Sequence, residues 1–133
     1  MIIHYDTAYI SGKITGLPDL NKPKFAAATD LLHQIGYGVV FNPHVICATL
    51  GSKSTWTDYM KRCLKILPGS DVIILLDDWH KSKGAIVEVK VAMLLNIKIL
   101  SIDTMLPINK YKLLLLIIKF HILNPLAYVN TDE

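Results

Sequence analysis

The run Asp71-Val72-Ile73-Ile74-Leu75-Leu76 is apolar at every position after its first, with Pro68-Gly69 shortly before it and Asp77-Asp78 directly after it. A strand with one wet face alternates polar and apolar residues. An unbroken apolar run between turn residues therefore predicts a central strand of a parallel sheet, covered by helices on both sides. The rest of the chain supplies the partners such a strand needs. Tyr5 to Ser11 reads as a strand, and Gly12 to Pro18 as a loop. From Asn21 onward Phe25, Ala28, Thr29, Leu32 and Ile35 recur at helical spacing, and Gly36 stands where a helix cap would. Gly38 to Phe41 reads as a short buried strand closed by Asn42-Pro43, with a loop expected from His44 to about Ser54.

Trp56, Tyr59, Met60, Cys63, Leu64 and Leu67 line one face of a second helix, which Pro68-Gly69 stops. After the Asp77–Lys83 loop a helix is expected from about Gly84 to Leu95, then a strand over Lys98–Ile102 and a last helix from Asn109 to about Ile122. Alternating strands and helices with short connections predict right-handed crossovers and a parallel sheet. The expectation is one α/β domain over residues 1–133, Rossmann-like or flavodoxin-like, with 107–133 as a C-terminal helix and tail.

Composition narrows the function classes. At 52% hydrophobic and 19% charged residues the chain is too apolar for disorder, and its net charge of +3 is scattered rather than gathered in a block. Charge alone therefore does not call for nucleic acid, and an anionic small molecule fits equally well. The most apolar run, Leu113 to Ile118, is bracketed by Lys112 and Lys119 and falls far short of the roughly 20 residues that cross a bilayer. Met1 to Asp6 lacks the features of a secretory leader. Cys47 and Cys63 have no CxxC spacing, so neither a metal site nor a disulfide is expected. The expectation is a cytoplasmic protein with reduced thiols, no membrane partner, and no metal or cofactor.

In open α/β sheets ligands bind beyond the carboxyl ends of the strands, which places the chemistry in the loops. In Tyr9-Ile10-Ser11-Gly12-Lys13-Ile14-Thr15-Gly16, small residues let backbone N–H groups approach a ligand, though the same composition suits a plain flexible connection. It is neither GxGxxG nor GxxxxGK[ST], so neither dinucleotide binding nor ATP hydrolysis follows from it. Asp77 to Glu88 is richer. Ser82 can cap a helix whose exposed N–H groups suit an anion, with Gly84 and Ala85 leaving that end uncrowded. Glu88 falls about one turn inside an apolar helix, where a carboxylate is costly to bury without a partner. It is either a working group, a solvated helix position, or one paired with Lys90 or another surface cation.

Tyr9-x-x-Gly12-x-Ile14-x-Gly16, followed by Ser82-x-Gly84-x-x-x-Glu88 after a buried strand opening at Asp71, resembles nucleoside 2-deoxyribosyltransferases and 2'-deoxynucleoside 5'-monophosphate N-glycosidases. Asn42-Pro43, Trp56-x-x-Tyr59-Met60 and Trp79-x-x-Ser82-x-Gly84-Ala85-x-x-Glu88 are similar to a phage and bacterial branch of that superfamily. The resemblance spans about residues 5 to 102. It implies Glu88 as a nucleophile toward the anomeric carbon of a sugar and Tyr9 as its orienting partner, as in a retaining glycosidase. It implies a substrate-binding set of Ser11, Gly12, Lys13, Asn42, Trp79, Ser82 and Gly84, with Asp58, Cys63 and Asn109 as further candidates. Ser82, where transferases commonly carry Asp, tilts the ligand toward a nucleotide, because a hydroxyl does not repel a 5'-phosphate.

One departure stands out. The family has an aspartate eight residues before the one that opens the third strand, and here that place is Cys63, a poor substitute for a carboxylic acid. Asp58 lies on another face of the helix and fits a capping box with Thr55; Cys63 also fits a small core position. Two function classes follow: an N-glycosidase or deoxyribosyltransferase, or a catalytically depleted pocket that sequesters a nucleotide-like molecule, for example in a phage-infected host cytoplasm. A third reading is an interaction protein using the apolar C-terminal helix. A helix apolar all round has no solvent face, so a homodimer or higher even oligomer is expected, with Asn109 reaching the partner's sugar site.

Overall fold

The computed structural model describes residues 6–129, so the expected strand start at Tyr5 lies outside the described residues. Four parallel strands, β1 (Thr7–Ser11), β2 (Val39–Phe41), β3 (Val72–Leu75) and β4 (Lys98–Ser101), lie in the order β2-β1-β3-β4. The chain winds outward from β1 in one direction and from β3 in the other, so the switch point falls between these two strands. This is a doubly wound, Rossmann-like α/β sheet. As its apolar run demands, β3 is buried along its whole length.

One face of the sheet packs on α1 (Lys22–Ile35) through Phe25, Ala28 and Leu32 against Ala8, Ile10, Val72 and Ile74. The other face gathers Tyr9, Ile73 and Leu75 under α3 (Trp56–Ile66), α4 (Lys83–Leu94) and α5 (Lys110–Leu123). At the amino end of the sheet the Asp71 carboxylate accepts from the Thr7 amide (2.8 Å) and hydroxyl (3.0 Å), which fastens β1 to β3 and holds the Asp71 carboxyl below its usual range. The outer edge of β4 is not left open, because Leu100 bridges to Pro107 and Ile108 donates to the Ile99 carbonyl.

The expected loop from His44 to Ser54 is corrected: it begins with a helical turn, α2 (Pro43–Ile46), since Asn42 accepts from the His44 amide and Pro43 takes the first helical position. The same Asn-Pro pair that ends β2 thus starts a helix. α3 opens on a full capping box between Thr55 and Asp58. Asn109 caps α5 by accepting from Tyr111 and Lys112. No helix among the described residues is long and apolar enough to cross a membrane.

Candidate functional site

Successive residues of a strand point to opposite faces, so Tyr9 and Ser11 emerge on the same side of β1. α4 crosses that side and presents Glu88 to both of them. The Tyr9 hydroxyl donates to Glu88 Oε2, and Ser11 Oγ donates to Glu88 Oε1 at 2.8 Å. All three are buried, Glu88 only 6% exposed. Each carboxylate oxygen therefore has a hydroxyl partner in place of water. Burial outweighs those two hydrogen bonds and lifts the Glu88 carboxyl to about 7. Burial also raises the Tyr9 phenol, with the Glu88 charge adding to it, so the phenol stays protonated as a donor.

Cys63, from α3, adjoins this pair. Burial, then the charge of Glu88, raises its thiol, and its Sγ lies 3.8 Å from that of Cys47 at the end of α2. Both cysteines are free and buried. No sequence spacing announced this contact; the α2 turn creates it. Lys90, offered above as a partner for Glu88, instead donates to His121 Nε2 at 2.6 Å. The solvated reading of Glu88 is thereby set aside.

At the carboxyl ends of β1 and β3 the loops of the switch point are tied together. The Lys13 amide donates to Asp78 Oδ1 (3.0 Å), and Asn21 Nδ2 donates to the Lys13 carbonyl (2.8 Å) and to Asp78 Oδ2 (3.3 Å). Lys24 pairs with Asp77 and lies 3.6 Å from Asp78. The Asp77 hydrogen bond raises the Lys24 ammonium, and Lys24 in turn lowers the Asp77 carboxyl. Asp19, Leu20 and Asn21 all take left-handed backbone angles (φ 51°, 52° and 60°), an unfavourable conformation for non-glycine residues that these contacts hold in place. Asp78 and Asn21 were missed in the sequence, because their role depends on two loops meeting.

The remaining candidates have structural partners. Gly12 has no room for a side chain, since a Cβ there would lie 2.7 Å from the Leu76 side chain. A Cβ at Gly84 would lie 3.3 Å from Met60 Sδ, so α3 packs directly on the first turn of α4. That end of α4 is thus more crowded than its small residues imply. Ser82 Oγ caps α4 by accepting from the Ala85 amide (3.1 Å), which leaves its own hydroxyl proton available to an anion. Trp79 is a core residue, Asn42 and Asn109 cap helices, and Asp58 sits exposed in its capping box.

Two clefts open on the surface. One of about 260 Å³ lies at the carboxyl ends of β3 and β4, lined among others by Leu75, Asp77, Trp79, Ser101, Asp103 and Lys112. Another of about 380 Å³ is lined by Leu50, Ser54, Asp58, Lys61, Arg62 and Lys65. Neither is lined by Glu88, Tyr9 or Ser11. Among the described residues no cluster of His, Cys, Asp and Glu could hold a metal ion.

A doubly wound parallel sheet with a buried carboxylate held by two hydroxyls beside its switch point defines the class. Within it the chain belongs to the family described as Domain of unknown function (DUF4406), whose model matches residues 6–101. That match runs from β1 through β4 and leaves α5 outside it. No curated protein matches the chain.

Proposed function

We propose that this protein cleaves or transfers the N-glycosidic bond of a nucleoside or nucleotide, with Glu88 as nucleophile, in the manner of the nucleoside 2-deoxyribosyltransferases its motifs resemble. The observation that carries this reading is the buried Tyr9–Glu88–Ser11 arrangement. A retaining reaction needs a carboxylate aimed by fixed donors, and a carboxyl near 7 ionises in the neutral range. The Glu88 carboxylate attacks the anomeric carbon, the base departs with the bonding pair, and the glycosyl ester is released to water or to a second base. The Ser82 hydroxyl at the head of α4 suits a 5'-phosphate.

Incubation with nucleosides and nucleoside 5'-monophosphates, with chromatography of released base, tests this. Glu88→Gln is expected to lower base release by about a thousandfold or more while binding stays within about tenfold. Near wild-type activity in that variant removes Glu88 from the mechanism.

A second reading rests on Cys63. Where a carboxylic acid would help the base depart, a thiol with its pKa raised by burial stands against Tyr9 and Glu88. On this reading the pocket binds and sequesters a nucleotide-like molecule without turnover, in the host if the chain is phage-encoded. Cys63→Asp separates the two: base release gained or raised points to a lost acid, and a folded variant that binds without any gain favours the binding-only pocket.

A further inference from the structure

α5 carries two apolar faces. Leu113, Ile117 and Phe120 turn inward and are buried. On the opposite side Tyr111, Leu115, Ile118 and Ile122 stand between 53% and 75% exposed, with Leu114 beside them. The outward set, including Leu123 and Leu126 at its end, amounts to on the order of 500 Å² of apolar surface. Monomers rarely leave more than a few hundred Å² in one patch. Two such faces reach the roughly 1,000 Å² at which specific interfaces begin.

Its spacing says what covers it. Tyr111, Leu115, Ile118 and Ile122 follow one another at intervals of four, three and four, the spacing of a helix-pairing stripe. The sequence of intervals also reads the same in both directions. An antiparallel copy of the same helix therefore meets it in register, Tyr111 against Ile122 and Leu115 against Ile118, every contact made twice about a two-fold axis. We propose that the outward stripe of α5 pairs antiparallel with the same stripe of a second copy of this chain.

The register has a further consequence. Lys112 and Lys119 fall on one flank of the stripe, and the pairing brings Lys112 of one copy beside Lys119 of the other. This exposed like-charge approach weakens the pair slightly without deciding against it. It also gives the dimer a signature that an anionic membrane would reverse: added salt strengthens the pair and would weaken membrane binding.

Sedimentation velocity on the full chain from about 1 to 100 µM, against vesicles containing phosphatidylserine as a parallel arm, is the test. A concentration-dependent dimer is expected. Leu115→Asp and Ile118→Asp should each weaken it at least about 30-fold with the thermal midpoint of the monomer kept, and Lys119→Glu should strengthen it about three- to tenfold. A monomer at every concentration, a dimer indifferent to both aspartates, or a dimer weakened by Lys119→Glu overturns the proposal. So does salt-sensitive flotation of monomeric protein with the vesicles, which assigns the face to lipid.

Discussion

α4 and α5 are alike in composition and opposite in situation. Each is apolar around most of its circumference and neither has a continuous polar face. α4 is enclosed by the sheet, α3 and α5, so Ala85, Ile86, Glu88, Val89 and Ala92 are all buried. α5 lies outside it and buries only Leu113, Ile117 and Phe120. The absence of a wet face thus announces a helix that wants neighbours on every side. It does not say whether the same chain supplies them. Where the chain does, the helix can hold a carboxylate away from water; where it does not, apolar surface is left for another molecule.

Truncating matched positions in the two helices breaks or sharpens this contrast most strongly. Ile86→Ala in α4 is expected to cost about 2–5 kcal/mol in urea unfolding, and Leu115→Ala in α5 under about 0.5 kcal/mol at concentrations where the chain is monomeric. Equal costs would mean that α5 is as enclosed as α4.

Next comes the carboxylate that only the enclosed helix carries. Glu88 has a folded-state pKa raised to about 7 from 4.5, so its contribution to stability is fully present below about pH 4.5 and is lost as pH rises through 7. Relative to Glu88→Gln, the wild type should lose on the order of 3 kcal/mol across that window, read from urea midpoints at several pH values. Tyr9→Phe removes one hydrogen bond that lowers this pKa and should move the transition to higher pH. A flat difference between wild type and Glu88→Gln would mean that water reaches the carboxylate.

The smallest expected difference lies at the helix starts. Ser82→Ala and Asn109→Ala each remove a side-chain cap and should each cost about 1 kcal/mol in unfolding. For these local contacts the two helices should behave alike. A much larger loss at Ser82 would reveal a role in holding α3 against Gly84.

What was legible in the sequence follows from range. The succession of strands and helices along the chain and their layering were readable because the β3 run and the helical spacings are local patterns fixed by burial, whereas the order of the strands in the sheet came from the fold. Glu88 and Tyr9 stood out as an unpartnered carboxylate in an apolar helix and a tyrosine in a resembling motif. Their contact with each other and with Ser11 needed the fold. The Cys47–Cys63 contact and the Lys13–Asn21–Asp78 ties were not readable, since each joins distant segments through short irregular turns. The α2 turn was hidden because Asn-Pro serves equally to end a strand and to begin a helix.

The two buried thiols also make the protein its own clock. Cys47 and Cys63 are 6% and 5% exposed, and a thiol-specific reagent can meet them only in molecules whose α2–α3 corner has come away from the sheet. When reclosing outpaces labelling, the rate at which colour develops reports the fraction of molecules in which that corner is open, and when labelling outpaces reclosing it reports the opening rate itself. Because Cys63 stands beside Glu88, the same measurement with and without a bound small molecule tells whether occupancy of the carboxylate slows that breathing, with no label added to the chain.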